Sequence, residues 1–268
     1  MLQAVVVPGS LAEAQAVLGS RESAAIIAGG TAVMPLLNYG TDDFTTLVSL
    51  RRAGLSGISI DAGEASIGAA TTLAALESDD RLAFLWPALD AMASPTIRNM
   101  ATVGGNLFVK QPYGDLAACL VALGASASIA APKGMRVAPV EQVVRGLEHE
   151  EIVTGVSFPL PPSGSFRFAK AGRKTVNSAA VVTVAALVSL ADGLVTECRI
   201  ALGGVGPHAM RAPSVEKALV GRSFDRANVE AAAKRAVNDI APLDDAYASA
   251  WYRARVTPVH IRRALLGE

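Results

Sequence analysis

The chain has 268 residues, enough for a substantial core and for two domains, and its 24 Lys and Arg are balanced by 24 Asp and Glu. Zero formal charge and 5% aromatic content exclude a net basic field for nucleic acid or anionic lipid and argue against base-stacking platforms. Two cysteines, Cys119 and Cys198, are too few for an iron–sulfur cluster held by four thiolates, and in their apolar surroundings they read as buried, reduced thiols.

Residues 4–7 predict a strand and 10–18 a helix, with Ser10 and Glu13 at capping-box spacing. A strand over 24–27 runs into Ala28-Gly29-Gly30-Thr31 and a helix-like stretch with Val33, Met34, Leu36 and Leu37, and Pro35 near its start. A strand over 45–50 closes this small βαβ lobe, and 51–57 reads as a linker. Strands at 58–60 and 66–68 and a helix over 81–93 precede a second glycine pair in Thr102-Val103-Gly104-Gly105-Asn106. Asp115 opens an apolar helix, and 125–130 and 152–158 supply further strands of a mixed β lobe. Prolines and glycine at 159–164 mark the clearest boundary. Beyond it, 166–171, 179–190 and 197–202 read as strands and 214–220, 228–240 and 246 onward as helices. The expected class is α+β: a domain over 1–162 with lobes of about 1–55 and 56–162, then an antiparallel sheet with helices over 163–268.

Mean hydropathy is +0.37, yet the longest apolar stretch, 179–190, is interrupted by Thr183 and Ser189 and falls short of the ~20 residues of a spanning helix. It reads as a buried strand. With no basic region followed by a long apolar run in its first residues, the chain is expected to lack a secretory signal, and a cytoplasmic location is the default expectation.

The chemistry concentrates in the glycine pairs. Glycine reaches positive φ cheaply and lets a ligand approach the backbone, so successive amides at a strand-to-helix turn form a nest for phosphate oxygens. Ile27, Ala28, Gly29, Gly30, Thr31, Ala32 and Val33 make one such nest, with Thr31 a candidate cap and hydroxyl donor; Thr102, Val103, Gly104, Gly105 and Asn106 make a second. Asp115 is a candidate helix cap or acceptor for a ligand hydroxyl. Two nests without a lysine inside either suit a diphosphate held from both sides by neutral amides. Neither matches a Walker loop or the G-x-G-x-x-G fingerprint. Gly203-Gly204-Val205-Gly206-Pro207 has no helix start behind it and reads as a structural turn.

Other constellations are missing. His149, His208 and His260 show no metal-ligand spacing, and no G-x-S-x-G elbow occurs. The acidic pairs Asp42-Asp43, Asp79-Asp80 and Asp244-Asp245 read as caps and solvated turns. Lys170, Arg173 and Lys174 form a basic cluster that charge pattern alone leaves open between a solvated strand end and a ligand site. Val153 on physical grounds is core.

The strings AGGTAVMPLL, IGAATTLAALE, IRNMATVGGNL, EEIVTGVSFP and RIALGGVGPHAMRAPSVEKALVG occur in order. With Tyr252-Arg253 and 261–265 near the end, they resemble the FAD-binding medium subunit of molybdenum hydroxylases, a group that includes carbon monoxide and xanthine dehydrogenases. The resemblance implies that the diphosphate belongs to FAD and that Val153 lines the adenine or flavin pocket. It also implies an F/Y-x-K-x-x-R string matched by Phe168, Lys170 and Arg173, with Phe168 packing on the flavin ring and the cations raising its potential. Asn177 stands where many members have an aspartate, which removes one charge from any ion pair there. The partners implied are a molybdenum-containing large subunit, a small subunit with [2Fe-2S] clusters and a terminal electron acceptor. A self-sufficient flavin oxidase or reductase, and a non-catalytic nucleotide-binding assembly protein, stay open as alternatives.

Overall fold

The computed structural model describes residues 2–40, 44–174 and 177–268; Asp42-Asp43 lies outside them. In chain order the elements are β1 (Ala4–Val6), α1 (Leu11–Gly19), β2 (Ala24–Ile27), α2 (Val33–Asn38), β3 (Thr46–Ser49), β4 (Ile58–Asp61), β5 (Glu64–Gly68), α3 (Leu73–Glu77), α4 (Trp86–Ala91), α5 (Pro95–Arg98), α6 (Val103–Leu107) and α7 (Asp115–Ala122). They continue with β6 (Ser126–Ala131), β7 (Gly134–Pro139), α8 (Val140–Val143), β8 (Ile152–Pro159), β9 (Phe166–Gly172), β10 (Ala180–Ala191), β11 (Leu194–Gly203), β12 (Met210–Arg211), α9 (Pro213–Leu219), α10 (Arg226–Ala233) and α11 (Ala250–Leu266). Contacts divide them into two compact units, one of Met1–Asp80, Ser94–Val109 and Ser126–Phe158, the other of Arg81–Ala93, Lys110–Ala125 and Pro159–Glu268. The units interleave along the chain because α4 and α7 pack on the C-terminal sheet.

The first unit holds a parallel sheet in the order β1-β3-β2 and a five-stranded sheet in the order β4-β5-β8-β6-β7, in which the β4·β5, β6·β7 and β6·β8 pairs are antiparallel. Helix α1 starts as its capping spacing predicts: Ser10 Oγ accepts from Glu13 N at 3.2 Å, and Glu13 Oε2 accepts from Gly9 N at 2.8 Å. Its buried face, Ala14 and Leu18, packs with Ala24, Val48, Leu50 and Ile152. Strand β7, absent from the sequence reading, is an edge strand whose Met135 and Val137 are exposed; its residues carry no core-facing alternation to detect.

In the second unit the sheet runs β12-β11-β10-β9, antiparallel throughout. Period-two alternation sorts the side chains: Val182, Val184, Ala186 and Val188 of β10 join Cys198, Ile200 and Leu202 of β11 in a core with Val215, Leu219, Val229, Ile261 and Leu265 from α9, α10 and α11. On the other face α7 packs on β10 and β11, with Thr183 bonded to Asp115, and α4 packs on β9. Strand β10 is thus covered on both faces, which is why it reads as a near-continuous apolar run. Both cysteines are buried; desolvation pushes the Cys198 thiol up to about 12 and raises that of Cys119 as well.

Three helix predictions shift for local reasons. The helix over 81–93 is a 3-10 turn, Asp80–Leu85, followed by α4, which restarts with Pro87 in its first turn. The helix over 228–240 leaves α geometry at Ala233 and continues as a 3-10 turn, Lys234–Asn238. The last helix begins at Ala250 rather than 246: Asp245 Oδ1 takes the amides of Tyr247 and Ala248, Asp244 takes that of Ala250, and Ser249 is the cap.

Candidate functional site

Strand β2 ends at Ile27, and Ala28 through Ala32 turn the chain into α2. The backbone of Met100 crosses this turn so closely that a Cβ on Gly29 would lie 1.8 Å from its carbonyl oxygen, and Gly30 sits at φ 74°. The first helical bond runs from Met34 N to Gly30 O at 3.0 Å. Among the described residues the amides of Gly29, Gly30, Thr31 and Ala32 have no hydrogen-bond partner. Four consecutive free donors at a helix start are the complement of a phosphate group. Thr31 is not the cap: that position belongs to Ala32, with no side-chain bond, because the helix begins at Val33.

The second glycine pair does not offer bare amides. Val103 N donates to Thr71 O at 2.9 Å, Gly104 N to Ala69 O at 2.8 Å, Gly105 N to Thr102 Oγ1 at 3.2 Å and Asn106 N to Thr102 O at 2.9 Å. The carbonyls that consume the first two lie just beyond β5, over thirty residues earlier, so sequence spacing could not reveal them. Gly104 is instead a close-packing glycine, since a Cβ there would meet Ala69 Cβ at 2.8 Å. Gly105 is exposed and leaves room for a ligand to approach α6 without a backbone donor aimed at it. Free consecutive amides are thus found at the first glycine turn and not at residues 103–106.

Asp115 is neither a cap nor a free acceptor. Gly114, in the left-handed region, occupies the cap of α7, and the Asp115 carboxylate is buried with both oxygens engaged. Oδ2 takes Lys170 Nζ at 2.7 Å, and Oδ1 takes the hydroxyl of Thr183, itself fully buried. Lys170 Nζ also donates to Ala91 O at 2.9 Å, and its side chain is 9% exposed. The basic cluster divides: the Lys170 side chain is enclosed, whereas Arg173 and Lys174 are exposed, and Arg173 reaches the Ala246 carbonyl at 3.3 Å. Lys170 lies within β9, whereas Arg173 and Lys174 follow its end at Gly172. Phe166, Phe168 and Lys170 alternate onto the sheet face toward α4 and α7, Phe166 packing edge-on against Phe84 at 5.4 Å. Arg167 points the other way and lies over the Phe224 ring. Thr183 was missed as a site residue; its one signal is a hydroxyl inside an apolar strand. Val153 is buried in β8 opposite Ile129.

The Gly203-Pro207 segment is a structural turn built around Arg253, whose Nη1 donates to the carbonyls of Ala180, Val181 and Gly204 at 3.0, 2.6 and 2.8 Å. Its Nη2 pairs with Asp245 at 2.6 Å. Burial pushes the Asp245 carboxyl up, but the guanidinium and the Ala248 and Tyr247 amides outweigh it and hold it below the usual carboxylate range. The unfolded chain then binds the extra proton first, so stability from this group is complete above the unfolded value and lost as pH falls through the folded one. Below about pH 4 the midpoint of thermal unfolding should fall more steeply for the wild type than for Asp245→Asn; parallel curves would contradict the linkage.

Among the described residues no group of three or more His, Cys, Asp or Glu could hold a metal, and no helix is long and apolar enough to cross a membrane. Two family models match: the FAD binding domain in molybdopterin dehydrogenase over residues 2–161, and the CO dehydrogenase flavoprotein C-terminal domain over 166–267. The chain is 31% identical over 270 aligned positions to the carbon monoxide dehydrogenase medium chain of Afipia carboxidovorans, covering 96% of this chain and 93% of that one. It is 29% identical to the xanthine dehydrogenase FAD-binding subunit of Escherichia coli O157:H7, covering 96% and 92%. A solved carbon monoxide dehydrogenase from Hydrogenophaga pseudoflava superposes with a TM-score of 0.94 at 29% identity over 99% of this chain and 96% of that one. Quinoline 2-oxidoreductase from Pseudomonas putida 86 gives 0.89 at 29%, covering 100% and 96%. These matches define a flavin-binding subunit of an oxidoreductase. The chain belongs to the FAD-binding subunit family of the molybdenum hydroxylases.

Proposed function

We propose that this chain is the electron-transfer subunit of a cytoplasmic molybdenum hydroxylase complex, taking electrons from an iron–sulfur partner and delivering them to a terminal acceptor. The observation that carries the reading is the row of unpartnered amides from Gly29 to Ala32, beside a turn that a Cβ on Gly29 would fill. It fits the diphosphate of FAD, and family membership supplies the rest of the ligand. FAD when bound supplies two-electron storage between one-electron and two-electron partners. The chain's own residues bind and tune. The Gly29–Ala32 amides hold the diphosphate without a countercharge, and Lys170, fixed by Asp115, is a buried cation of the kind that favours an anionic reduced ring. Phe168 is the apolar surface for the ring in this reading, and no side chain is required as acid or nucleophile.

The partners are a molybdenum-containing large chain and a small chain with [2Fe-2S] clusters, a reading supported by relatives named as medium chains and subunits. Purification of the native assembly tests it: flavin absorbance should travel with molybdenum and iron on separate polypeptides. A chain that turns over a small substrate alone would instead be a self-sufficient flavoenzyme, and a nucleotide without a reducible chromophore would point to an assembly protein.

A further inference from the structure

Lys170 carries three N–H donors, and two are used, by Asp115 Oδ2 and Ala91 O. The count is held there by the carboxylate's orientation. Asp115 has a second oxygen that would compete for the ammonium, and this oxygen is occupied by the Thr183 hydroxyl from the neighbouring strand β10. Lys170 and Thr183 are paired positions on β9 and β10, so both side chains leave the same sheet face and meet one carboxylate. All three groups are buried, where turning a carboxylate by one oxygen changes the balance of charge strongly.

We propose that Thr183 is a positioning residue: by holding Asp115 on one oxygen it keeps the third Lys170 donor available to an acceptor of the bound flavin. This rests on the proposed flavin role of Lys170 and adds the residue that sets its strength. Without the hydroxyl, Asp115 turns both oxygens to Lys170, the cation is more fully neutralised, and reduced flavin loses stabilisation relative to oxidised.

The test is the midpoint potential of FAD bound to wild type, Thr183→Val, Thr183→Ala and Thr183→Ser, with folding followed by circular dichroism. Val and Ala should lower the ratio of reduced-to-oxidised affinity about tenfold, a fall of about 30 mV for a two-electron couple. Ser should match the wild type. Loss of flavin from Val and Ala with retention by Ser would count in the same direction. Unchanged potentials in folded Val and Ala variants, or a Ser variant as low as Val, would refute a positioning role while leaving FAD binding intact. If neither Val nor Ala folds, Thr183 is structural and the positioning role falls. A wild-type chain that ignores FAD would sink the flavin reading itself, and with it any role of Thr183 in tuning.

Discussion

Gly29→Val should abolish FAD uptake and destabilise the first unit. The new Cβ would sit 1.8 Å from Met100 O and 2.6 Å from Met100 C, and both atoms are backbone, so no rotamer change relieves the overlap. Overpacking of this kind costs about 3 kcal/mol, and roughly 6–12 °C of thermal midpoint in a chain of this size. Gly30→Ala should be milder, about 1–2 kcal/mol, because its φ of 74° is the main obstacle and its nearest neighbours are flexible side chains. Gly105→Ala should be milder than Gly29→Val, since outside its own helix a new Cβ would meet the Thr102 hydroxyl alone, at 3.0 Å, and no backbone. Differential scanning calorimetry with FAD titration separates the three; equal effects at Gly29 and Gly105 would contradict the close-approach account.

Lys170→Met should be the most damaging single change in the second unit. It leaves the Asp115 carboxylate buried with the Thr183 hydroxyl alone, and breaking a buried pair costs about 3–5 kcal/mol. Adding Asp115→Asn should recover at least half of the loss, because the uncompensated charge rather than the missing contact dominates. Urea unfolding of the two single variants and the double gives the coupling. Losses that simply add would mean that the two side chains have no energetic coupling, against the 2.7 Å pair.

The strands of the second unit were readable because burial writes itself into alternation or continuous apolar runs, and β10 is the clearest case. The first glycine turn was readable for the same reason: strand, small residues and helix stand next to each other in the chain. What stayed hidden depends on distant partners. The carbonyls of Ala69 and Thr71 that occupy the second pair's amides, the 55-residue step from Asp115 to Lys170, and the Thr183 hydroxyl are products of tertiary packing. Edge strand β7 escaped because it buries little, and α11 starts late because Asp244 and Asp245 bind backbone amides in a turn.

A crystal structure of the chain with FAD bears most directly on the glycine turn. The diphosphate oxygens should lie within hydrogen-bond distance of the Gly29 to Ala32 amides, while Val103 and Gly104 keep their bonds to Thr71 and Ala69. A diphosphate seated on the Gly104-Gly105 amides, with those bonds broken and the Gly29 turn vacant, would contradict the account.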